Sequence, residues 1–92
     1  MGTKIDAELA RQLREAQTTE PHRAIPVIVT LNKGADVAEL ERRGVTVHGR
    51  YESISAVYGT CDASAVSQLE DLPSVKTIEY DGKASAFGSG AD

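Results

Sequence analysis

The sequence predicts an α+β sandwich: a four-stranded antiparallel sheet with two helices on one face, an extra helix in front and a flexible tail behind. Three observations lead there. Strand-like and helix-like stretches follow one another, after the first helix, in the order β-α-β-β-α-β. Each of the two internal helical stretches opens on an aspartate and is stopped by a glycine or a proline. And 92 residues suffice for one core, since a chain of this size buries roughly 60–65% of the surface its unfolded form exposes.

The first helix is expected over Asp6–Gln17. Ile5, Leu9, Leu13 and Ala16 recur at i, i+4, i+8 and i+11 and make one apolar stripe. Glu8, Arg11, Arg14 and Glu15 lie off it, and Pro21 ends the helical stretch. Ile25–Leu31 is the strongest strand signal. Val27, Val29 and Leu31 share one face, Ile28 and Thr30 the other, and apolar residues on both sides mark a central strand. Pro26 is tolerated near its start. After the turn Asn32-Lys33-Gly34, Asp36 is placed to cap a helix with Glu39 closing a capping box. Val37 and Leu40 give that helix its apolar edge, and Gly44 is its left-handed terminator.

Val45–Tyr51 reads as the second strand, with Val45, Val47 and Gly49 on one face. Glu52-Ser53 is a tight turn into a third strand, Ile54–Cys61. Asp62 caps the next helix, whose inner stripe is Val66, Leu69 and Leu72 before Pro73. In the fourth strand, Val75–Tyr80, Val75, Thr77 and Glu79 alternate against Lys76, Ile78 and Tyr80. From Asp81 onward Gly, Ser and Ala dominate and no hydrophobic period survives. The expected organisation is thus a helical extension over 1–23, a main domain over 24–81 and a flexible tail over 82–92. The order β-α-β-β-α-β is the split βαβ pattern of ferredoxin-like folds. Such a fold leaves one sheet face open, and Ile28, Thr30 and part of the third strand are expected on it.

Composition removes several functions. A net charge of −4 and scarce aromatics, 4%, argue against a nucleic-acid surface. A single cysteine, Cys61, excludes an internal disulfide and a cysteine-based metal site, so no metal and no cofactor are expected. His22 and His48 are the only histidines. One falls in a proline-containing linker and one in a strand, and no Gly-x-Ser-x-Gly elbow exists, so no catalytic residues are assigned. No apolar run is long enough to span a membrane. Met1–Asp6 lacks a basic stretch followed by an apolar one, so no secretion signal is expected and the compartment stays open.

The tail carries more. Asp81-Gly82-Lys83-Ala84-Ser85-Ala86-Phe87 ends in the only Phe of the chain, set among residues that cannot build a core around it. Extended segments with selected apolar side chains enter protein clefts by strand addition and pocket filling.

On these residues the sequence resembles the propeptides of subtilisin-like serine proteases and the small free-standing inhibitors related to them. The resemblance covers about Ile25–Phe87. Its marks are the strand Ile25-Pro26-Val27-Ile28-Val29, the hairpin around Arg50-Tyr51 and Ile54–Tyr58, and the ending Val75-Lys76-Thr77-Ile78-Glu79-Tyr80-Asp81 followed by Ala84-Ser85-Ala86-Phe87.

The resemblance implies a non-enzymatic inhibitor whose partner is a subtilisin-like serine protease, monomeric when free. It implies that the open sheet face packs on two helices of the protease and that Glu79 and Asp81 cap their N-termini. Phe87 is then expected in the primary specificity pocket, Ala86, Ser85 and Ala84 along the cleft before it, and Gly88 just beyond the cut. Two alternatives stand beside it: a cleaved propeptide acting as an intramolecular folding chaperone, and a ferredoxin-like small-molecule-binding regulatory domain.

Overall fold

A computed structural model describes residues 4–20 and 22–82 of the chain. The expected tail residues Ala84, Ser85, Ala86, Phe87 and Gly88 lie outside the described residues. The elements are α1 (Ala7–Thr19), β1 (Ile25–Leu31), α2 (Val37–Arg42), β2 (Thr46–Tyr51), a 3-10 turn (Glu52–Ile54), β3 (Ala56–Cys61), α3 (Ala63–Glu70) and β4 (Val75–Tyr80). The four strands form one antiparallel sheet in the order β2-β3-β1-β4. This α+β arrangement is compatible with a ferredoxin-like fold.

The helix ends follow from their residues. The Asp62 carboxylate accepts the Ala65 N–H at 3.0 Å and the Ser64 hydroxyl at 2.9 Å. These bonds hold its carboxyl below the usual range, the Ala65 bond contributing most. Asp36 accepts from the Ala38 N–H at 3.0 Å. Glu39, expected to close a capping box, instead lies 3.9 Å from Arg43 one turn on. At the other end of α2, Gly44 sits at φ +104°. The Val45 N–H donates to the Leu40 carbonyl and the Gly44 N–H to that of Glu41, both at 3.1 Å. Those two bonds are a Schellman motif, closed by the buried pair Leu40 and Val45.

One core holds the elements together. Val27 and Val29 of β1, Leu40 of α2, Val66 and Leu69 of α3 and Leu9 of α1 are all within it and essentially inaccessible. The leading helix therefore shares the core with the sheet. Its entry is also tied to the sheet: Ile5 bridges Ile78 in parallel. The Ile78 N–H donates to the Lys4 carbonyl at 2.7 Å, the Asp6 N–H to the Ile78 carbonyl at 3.3 Å, and Lys4 Nζ to the Leu72 carbonyl at 2.7 Å.

Three expectations about strand faces and turns need correction. The expected strict alternation of β4 breaks because the register with β1 slips between Thr30 and Leu31, so Val75 and Ile78, three apart, are both buried. A second irregularity lies between Val47 and Gly49. It leaves His48 as the extra residue and turns Gly49 to the face of Tyr58, away from Val47. There the Tyr58 ring occupies the space a Gly49 side chain would need. Finally, the β2–β3 connection is a 3-10 turn ending on Ser55 at φ 49°, ψ 48°, and not a two-residue turn at Glu52-Ser53.

Candidate functional site: the uncovered sheet face

The sheet has two unlike faces because the strand residues alternate. Val27, Val29 and Val57 point to the core. Ile28, Thr30, Tyr58 and Glu79 point away from it. The register sets Ile28 directly between Tyr58 on β3 and Glu79 on β4. Ile28 and Tyr58 are half-buried and Glu79 is exposed. Tyr58 stacks at a tilt on Tyr51, their ring centroids 5.2 Å apart and their planes at 44°. Tyr51 itself is 41% exposed. The face thus carries an apolar and aromatic strip across three strands, bounded on the β4 side by a carboxylate.

The expected placement of Ile28 and Thr30 away from the core is found, and the part of the third strand that joins them is Tyr58. Tyr51 is not among the residues expected there. The signal for it lies in β2, whose alternation, read with one extra residue at His48, places Gly49 and Tyr51 with Tyr58.

The two acidic residues differ. Glu79 faces outward on β4. Asp81 is buried one residue past the strand, and its N–H donates to the Pro26 carbonyl at 3.0 Å. That bond continues the β1–β4 ladder one residue beyond β4. Immediately before it, the Tyr80 N–H donates to Asp6 Oδ1 at 3.3 Å. The backbone at the end of β4 is thus held on both sides, by β1 and by the N-terminal segment.

The remaining titratable residues have structural surroundings. Cys61 is buried at the end of β3, and burial, with Asp62 beside it, pushes its thiol up to about 12. A thiol so placed is a small apolar group and not a nucleophile. His48 is exposed on the bulge, and His22 is exposed with its ring 4.0 Å from Asp62. Among the described residues, no group of three or more His, Cys, Asp or Glu side chains is placed to hold a metal ion. No helix among them is long and apolar enough to cross a membrane.

No protein-family model matches the chain, and no curated protein matches it either.

Proposed function

We propose that the protein is a non-enzymatic inhibitor of a subtilisin-like serine protease. In this reading the fold is a ferredoxin-like sandwich with its helices on one face and the leading helix added to them. The free face docks on the protease through Ile28, Tyr58 and Tyr51. Glu79 and Asp81 cap protease helix N-termini, where a carboxylate meets free N–H groups and the positive end of the helix dipole. The tail from Gly82 then runs into the active-site cleft, with Ala84, Ser85 and Ala86 along it, Phe87 in the specificity pocket and Gly88 past the cut.

The observation that carries this reading is the register of Tyr58, Ile28 and Glu79 across the uncovered face. An aromatic and apolar strip beside an exposed acid on an uncovered sheet face supports the reading of that face as a partner surface. The chain's own sequence places a segment with one large apolar side chain, Phe87, shortly after it.

An inhibition assay against a subtilisin tests the proposal. The full chain is expected to inhibit, and a chain ending at Gly82 to lose most of that inhibition. Lack of inhibition by the full chain, or equal inhibition by the shortened one, overturns it.

A further inference from the structure

At the end of the sheet away from Asp81, a cleft of about 420 Å³ opens between the β1–α2 loop and the β2–β3 connection. It lies where β1 runs out at Leu31, β2 ends at Arg50-Tyr51 and β3 begins after Ser55. Leu31, Ala56 and Val57 give it an apolar floor, all of them buried core or near-core residues. Arg50, Tyr51 and Ser55 are the polar and charged residues of the β2–β3 side that line it. Among the described residues no acidic side chain lines it, although acidic residues outnumber basic ones in the chain, 14 to 10.

Two further features set this cleft apart. The Arg50 side chain is exposed and makes no hydrogen bond or ion pair among the described residues. Ser55 is, among the described residues, the one non-glycine at positive φ. Its carbonyl accepts the Leu31 N–H at 2.8 Å, which holds the strained residue against the end of β1.

We propose that this cleft binds a small monocarboxylate with an apolar body. A guanidinium presents a planar pair of N–H donors that matches a carboxylate, and the register sets Arg50 beside Val57 on the face that carries the apolar floor. A single cation over an apolar floor suits that ligand better than inorganic phosphate, whose higher charge finds no second cation among the described lining residues. The cleft lies within the volume range of small-molecule sites, at the lower end. The inference does not rest on the protease reading, since the cleft is at the other end of the strands from the tail.

The experiment is a titration of the full chain with 3-phenylpropionate, followed by amide resonances. Saturable shifts are expected at Leu31, Ala35 and Arg50–Val57, with a Kd of roughly 0.1–1 mM, the scale ligand-efficiency bounds allow for about eleven heavy atoms. Arg50→Gln is expected to weaken binding tenfold or more, and Arg50→Lys to fall between, since it keeps the charge and loses the fork. Both changes are at an exposed position, and unshifted core resonances report that the fold is intact. 3-Phenylpropionamide and inorganic phosphate are expected to bind at least tenfold more weakly than the carboxylate. Absence of saturable shifts at the cleft, equal binding of the amide or of phosphate, or unchanged binding by Arg50→Gln each overturns the proposal.

Discussion

Asp6 and Tyr80, 74 positions apart, are joined by one carboxylate oxygen. Asp6 Oδ1 accepts the Leu9 N–H at 3.1 Å, capping α1, and the Tyr80 N–H at 3.3 Å on the outer edge of β4. The same atom therefore starts the leading helix and fastens it to β4, the last strand. Together with the Ile5–Ile78 bridge, it occupies an edge that would otherwise offer unpaired backbone groups to another strand.

Asp6→Ala removes both bonds. A lost N-cap costs about 1 kcal/mol, up to about 2, and the freed Tyr80 N–H lies at an edge where water can reach it. The expected result is a lower midpoint in chemical denaturation and faster hydrogen exchange at Tyr80. Asp6→Asn keeps an acceptor oxygen and is expected to lose less. Unchanged exchange at Tyr80 in Asp6→Ala refutes the link.

Leu69 lies in the core with no accessible surface. Leu69→Ala is expected to cost roughly 2–4 kcal/mol through lost burial and the cavity left behind. Against a total of roughly 5 kcal/mol for a small domain, much of the protein then unfolds near room temperature. A thermal melt checks this, and an unshifted curve contradicts the packing of α3 on the sheet.

Cys61 sets an alkaline limit. Its thiol is pushed up to about 12 in the folded chain from an ordinary value of 9.0. A group raised on folding stabilises the native state fully below its unfolded value and ceases to as pH rises through the folded one. Stability is therefore expected to fall between about pH 9 and 12, at up to about 1.4 kcal/mol per pH unit from this group. Cys61→Ala starts from lower stability but lacks this contribution. Denaturation of both chains across that range isolates it, and parallel pH curves for the two exclude it.

Glu79 is the cleaner of the two acidic probes, because it is exposed while Asp81 is buried and bonded. Glu79→Gln is expected to leave the melting curve within about 0.5 kcal/mol of the parent. If the proposed docking is right, it weakens protease inhibition by about tenfold, the equivalent of one charge-assisted bond at a helix N-terminus of about 1–2 kcal/mol. Equal inhibition removes Glu79 from the interface.

Phe87 is expected to dominate affinity for the protease. Filling an apolar pocket with a Phe side chain is worth roughly 2–3 kcal/mol, so Phe87→Ala should weaken inhibition by about ten- to a hundredfold. Phe87→Asp should be worse, since it carries an unpaired charge into the pocket. Prolonged incubation should clip the chain after Phe87, which mass spectrometry detects. First cleavage within Asp6–Leu72 contradicts the proposed role of the tail.

The elements are legible in the sequence because their signals are local. Asp62 caps α3 since its own side chain reaches an N–H three residues on, and Gly44 ends α2 since a residue without a Cβ enters positive φ at little cost. Spacing alone assigns Val29, Val66 and Leu69 inward, and they are buried. Spacing does not carry anything that depends on a neighbouring strand. The slip opposite Lys76 and the extra residue at His48 arise from the pairing with β1 and β3, and each reverses the face of the residues beyond it.

The chain's local chemistry thus specified which segments become strands and helices, where each helix begins and ends, and that one strand is apolar on both sides. Packing specified the rest. It brought Tyr51 against Tyr58, set Glu79 beside Ile28, buried Asp81, and joined the leading helix to β4 through Asp6. It also gathered Arg50 and Ser55 around one cleft. The physical reason is that caps and periodicity act within a few residues, where a short side chain or one helical turn suffices. Contacts between strands exist only once the sheet register has been selected, whether the residues are as near in sequence as Tyr51 and Tyr58 or as far as Ile28 and Glu79, and that selection is made by burying the whole core at once.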